Sequence, residues 1–88
     1  MKIGEIVWDA DTVGHIARHG VSPEEVEEAC FDGKPHIFRT RLGRYIALGQ
    51  TGAGRYLTIV FEYPGHTRAK VVTARAMSEA ERRLFKRR

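Results

Sequence analysis

The stretch Thr67–Ala76, TRAKVVTARA, followed at once by a helix start at Ser78, constrains this chain more than any other. Val71, Val72 and Thr73 are β-branched and favour a pleated surface, so the stretch is predicted to be a strand. Side chains alternate along a strand, which sets Ala69, Val71, Thr73 and Arg75 on one face and Lys70, Val72, Ala74 and Ala76 on the other. After Lys70 the second face is small and apolar, as expected of a face packed under helices. The first face ends in Arg75, a cation that a strand can hold rigidly above an open sheet surface. The plainer reading of Arg75 is a surface arginine paired with a glutamate. Ser78-Glu79-Ala80-Glu81 has the form of a capping box and opens a helix with Leu84 and Phe85 as its anchors.

Earlier segments supply the rest of a small fold. Ile3–Trp8 reads as a short strand with Ile6 and Trp8 on one face. Asp9 and Asp11 offer N-cap oxygens for a helix over Asp11–Arg18, in which Val13, Ile16 and Ala17 face the core. Gly20 stands where a left-handed residue ends such a helix. Ser22-Pro23-Glu24-Glu25 starts a second helix, with serine as N-cap, proline at N1 and Glu25 at N3 of a capping box. Val26, Ala29 and Cys30 form its apolar stripe, and Glu24, Glu27 and Glu28 face water or a basic partner. Strands are predicted at His36–Thr40, Arg44–Gln50 and Tyr56–Tyr63, with turns near Leu42-Gly43 and Pro64-Gly65. The glycines between Gly49 and Gly54 look like a hairpin loop. The order β-α-α-β-β-β-β-α describes one α+β domain over residues 1–88, a mostly antiparallel sheet with two N-terminal helices and a C-terminal helix.

Charge narrows the possible partners. Residues 1–33 carry two basic residues against eight acids, net −6. Residues 34–77 carry eight against Glu62 alone, net +7, and residues 78–88 add +3. An acidic helical front and a basic back suggest an anionic partner, with nucleic acid the usual candidate. The single cysteine, Cys30, excludes an internal disulfide and fits no cysteine-based zinc site. No stretch approaches the roughly 20 apolar residues of a membrane span, and no signal-peptide pattern is present, so the expected location is cytoplasmic.

His15 and His19 lie four apart on one helix face, but no metal signature accompanies them, and no metal or other cofactor is expected. Histidine titrates near neutral pH, so an acid–base role is the sharper reading and a capping role the plainer one. Arg39, Arg41, Arg44, Arg55 and Arg75 are spread over adjoining strands and form a phosphate-binding surface if they converge. Tyr45 and Tyr56 are candidates to stack a base beside it. Alternation sets Arg44 with Ile46 and Leu48 and turns Tyr45 the other way, so Arg44 and Tyr45 conflict as neighbours on one flat face.

Several short pieces, in order, resemble the BrnT family of toxins, ribonuclease halves of bacterial type II toxin–antitoxin pairs with a RelE-like fold. They are Trp8-Asp9, Ala17-Arg18-His19-Gly20-Val21, Pro23-Glu24-Glu25-Val26, Gly43-Arg44-Tyr45 leading to Leu48-Gly49, Thr73-Ala74-Arg75 and Glu81-Arg82. The resemblance implies a toxin that cleaves mRNA or other RNA without metal. It also implies silencing by a cognate antitoxin, in a toxin–antitoxin heterotetramer. Carried onto this chain, it implies Arg44 and Arg75 for phosphate stabilisation and His19 for proton transfer, with His15 in reserve and Glu25 orienting His19 or capping its own helix. Many relatives carry a lysine where this chain has Thr12. The alternative is a non-catalytic nucleic-acid- or protein-binding module on the same scaffold.

Overall fold

The computed structural model describes residues 1–87; Arg88, the last residue of the basic tail, lies outside the described residues. The chain runs β1 (Glu5–Val7), α1 (Ala10–Ala17), α2 (Pro23–Glu27), β2 (His36–Arg39), β3 (Tyr45–Gln50), β4 (Tyr56–Gly65), β5 (Arg68–Ala76) and α3 (Glu79–Arg87). This is the order read from the sequence. The strands form one sheet, β1-β5-β4-β3-β2, antiparallel throughout except for β1, which pairs with β5 in parallel.

Local chemistry explains most of these elements. The Asp9 carboxylate accepts from the Thr12 backbone N–H at 2.8 Å and starts α1. Gly20, at φ 72°, ends it in the left-handed conformation that a Cβ disfavours. Both halves of the Ser22–Glu25 capping box are formed. Instead of stopping, α2 widens into a π-helical turn over Glu28–Asp32. Ala29 and Cys30 are thereby buried and Phe31 is left 45% exposed. Ala17, expected in the core, is exposed, because α1 buries only Ile16 and half-buries Thr12 and Val13. Two acids expected to face water are engaged: Glu27 accepts from Trp8 Nε1 at 3.0 Å, and Glu28 from the Gly52 N–H at 3.0 Å.

The sheet has two unlike faces. Under α1 and α2 lie Leu57, Ile59 and Phe61 of β4 and Ala47 of β3, packed with Ile16, Val26 and Ala29. Opposite them a smaller cluster of Leu48, Met77 and Phe85, flanked by Phe38, Ile46, Tyr56 and Leu84, seats α3. Each large side chain so buried contributes roughly 1.5–3 kcal/mol. Gly49 lies within β3 rather than in the hairpin loop, because the π-turn passes directly over it: a Cβ there would stand 2.6 Å from the Ala29 carbonyl oxygen.

The alternation expected of β5 is broken. Val60 pairs with Thr73 and Phe61 with Val71, so Val72 is an extra residue in a β-bulge. Ala69 and Val71 therefore share the helix-covered core with Ala74, and not with Thr73 and Arg75. The bulge resets the pattern so that Arg75 emerges opposite Thr58, on the α3 side.

Candidate nucleic-acid interface and active site

Arg75 is firmly held. Its two η nitrogens donate to the Glu81 carboxylate at 2.8 and 2.9 Å, a bidentate ion pair. Glu81 accepts two more bonds, from the Ser78 N–H at 2.8 Å and from the fully buried Thr58 hydroxyl at 2.8 Å. The Arg75 guanidinium foremost, offset in part by burial, then the Ser78 N–H and the Thr58 hydroxyl, hold the carboxyl of Glu81 down at about 2. The expected pairing of Arg75 with a glutamate is thus present, and the pair is fixed to both sheet and helix.

Arg44 lies on the same face, its Nε 3.7 Å from Glu62, and both side chains are about half exposed. Tyr45 lies on the other face, stacked on Phe61 at 5.6 Å with the Arg39 guanidinium 6.0 Å from its ring. The conflict between Arg44 and Tyr45 is therefore resolved by placing them on opposite sides. Arg41 is exposed in the turn between β2 and β3.

Arg55 joins the two N-terminal helices. Its guanidinium donates to the Gly20 carbonyl at 2.6 Å and to both Glu25 oxygens at 3.1 Å. The Ser22 backbone N–H, followed by Arg55, lowers the Glu25 pKa. Glu25 accordingly caps α2 and anchors Arg55. His19, one residue before Gly20, is exposed and meets the exposed His15 ring edge-on at 5.3 Å. The imidazoles are on the α1 side of the sheet, whereas Arg44 and Arg75 are on the α3 side. Because Arg55 immediately precedes β4, the Gly20 contact brings the end of α1 to the end of the sheet where Thr58 meets Arg75. Among the described residues no group of three or more His, Cys, Asp or Glu side chains is arranged to hold a metal ion.

Two features were not legible in the sequence. Thr58 reads there as one more β-branched strand residue, and only the docking of α3 makes it a hydrogen-bond donor. Arg82 and Lys86 read only as part of the basic remainder of the last helix. In the structure the Arg82 guanidinium stands 4.5 Å over the Tyr56 ring and Lys86 Nζ 5.3 Å from it, while Phe85 meets the ring edge-on at 6.0 Å.

Fold and charge together define a small α+β domain with cations on one sheet face and on its C-terminal helix. The class is that of a toxin: the family model described as "Ribonuclease toxin, BrnT, of type II toxin-antitoxin system" matches residues 8–81. The chain belongs to the BrnT toxin family. The crystal structure of the Brucella abortus ribonuclease toxin BrnT shares the fold, with a TM-score of 0.68 at 23% identity, over 85% of this chain and 97% of that one. No curated protein matches the chain by sequence. Membership in a type II toxin–antitoxin family implies an antitoxin protein as partner. Among the described residues no helix is long and apolar enough to cross a membrane.

Proposed function

We propose that this chain is a metal-independent endoribonuclease acting on mRNA or other RNA in the cytoplasm, silenced by its antitoxin in a heterotetramer. The observation that carries the reading is Arg75, clamped at one end of the sheet by Glu81, whose carboxylate is itself held by the Thr58 hydroxyl and the Ser78 N–H. A cation fixed in advance stabilises the charge that develops on a phosphorane without reorganising during the reaction. Arg44 adds a second cation on the same face. His19 is the proton-transfer group, reached from the α1 side at the same end of the sheet, with His15 in reserve. Guanidinium and imidazole supply charge stabilisation and acid–base chemistry, the two requirements for attack by a 2′-hydroxyl. Arg41, in the turn after β2, extends the path for the RNA backbone, and Arg39, over Tyr45, flanks it from the opposite face.

One observation favours a second reading, binding without cleavage: the imidazoles and Arg75 lie on different sides of the sheet. The two readings separate when purified wild-type protein and Arg75→Ala are incubated with labelled RNA in EDTA. Cleavage by the wild type alone, with both proteins folded, supports the nuclease and the role of Arg75. Binding that weakens in the variant, with no cleavage by either protein at any pH from 5 to 9, supports the binding module.

A further inference from the structure

We propose that Arg82, seated on Tyr56, is a stacking platform for a nucleobase of the bound RNA, with Lys86 taking the adjacent phosphate. The proposal rests on the reading that the chain binds RNA, and adds where a base is held.

Four arginines of the sheet region stand beside carboxylates. Arg44 faces Glu62, Arg55 faces Glu25, Arg68 faces Glu5 and Arg75 faces Glu81. Arg82, like Arg39 over Tyr45, makes no ion pair among the described residues and lies over an aromatic ring, but at 4.5 Å against 6.0 Å it is the closer of the two. One side of the guanidinium is covered by Tyr56, and the residue is otherwise exposed. A planar, weakly hydrated cation held from one side stacks a ring on its other side. The same arrangement covers the Tyr56 ring, so that tyrosine serves the base through Arg82.

The surroundings match a nucleotide. Glu79, Arg82, Arg83 and Lys86 line a shallow cleft of about 180 Å³. The Glu79 carboxylate disfavours a phosphate inside it but accepts hydrogen bonds from the amino or imino groups of a base. Lys86, on the same stripe of α3 as Arg82, is a compact charge for the phosphate. Tyr56 and Thr58 are two positions apart on β4, roughly 7 Å, and Thr58 is paired with Arg75. A base on Arg82 and a phosphate at Arg75 are therefore within the reach of one or two nucleotides.

The test is fluorescence anisotropy with the full chain and a short, uncleavable 2′-O-methyl RNA, compared with the same strand carrying abasic positions. Wild type is expected to bind the intact strand roughly tenfold more tightly than the abasic one. Arg82→Lys keeps the charge and loses the plane; it should bind both strands equally, at the wild-type affinity for the abasic strand. Arg82→Gln should weaken binding of both. Circular dichroism checks that each variant is folded. Equal binding of the two strands by wild type, or full discrimination by Arg82→Lys, overturns the platform while leaving RNA binding in place. Failure of wild type to bind either strand overturns both this inference and the reading beneath it.

Discussion

Glu81 concentrates four hydrogen bonds on one carboxylate, and its titration therefore reports on the fold. Its pKa of about 2 in the folded chain lies below the ordinary 4.5, so as pH falls the unfolded chain takes up the proton first. The resulting stabilisation is complete above about pH 4.5 and is lost as pH falls toward 2. It is on the order of 2–3 kcal/mol. Urea unfolding of wild type at pH 6 and at pH 2.5 should show this loss, and Glu81→Gln, already less stable at pH 6, should show a smaller difference between the two. A larger difference in the variant would mean that other carboxylates control acid unfolding. The same residue marks how much of the site is legible in the sequence. Ser78 and Glu81 are three apart, so their capping box is legible from local spacing. That Glu81 also holds Arg75 and Thr58 depends on where α3 docks, and no local pattern encodes that.

Elements show the same division. Each helix start is readable because the cap and the group it bonds lie within one turn of one another: Asp9 and Thr12, Ser22 and Glu25, Ser78 and Glu81. The bulge at Val72 is not, because whether a β-branched run stays in register depends on the strand beside it. That single extra residue decides which face carries Arg75. The π-turn after α2 is likewise invisible in an apolar stripe, yet it makes Gly49 indispensable. Gly49→Ala places a Cβ 2.6 Å from a backbone oxygen of Ala29 and should destabilise the chain by at least about 1–3 kcal/mol. Gly14, within α1, faces open space: a Cβ there would meet nothing within 4 Å, so Gly14→Ala should stabilise by about 0.5–1 kcal/mol. Thermal unfolding of the two variants measures both, and the opposite signs separate close approach from helix propensity.

At the scale of the whole molecule, the acidic helical layer and the basic sheet and tail should make the proposed RNA binding strongly dependent on salt. Neutralising Arg83 and Arg87 together should flatten the slope of log affinity against log salt by up to about 0.7 for each phosphate left without its cation. An unchanged slope would take the outer stripe of α3 out of the interface. A different consequence follows from β1. It joins residues 5–7 to residues 68–70 in parallel, across most of the chain, through only three residue pairs. Closing so long a loop is entropically unfavourable, and three pairs return little until the rest of the sheet exists. The N-terminal strand should therefore dock late, after the β2–β5 meander has formed. Ile6, buried in that strand, offers the kinetic readout: Ile6→Val should speed unfolding and leave the folding rate nearly unchanged. The strand that comes earliest in these 88 residues is then the last to find its place, and for that interval the outer edge of β5 is open along its whole length.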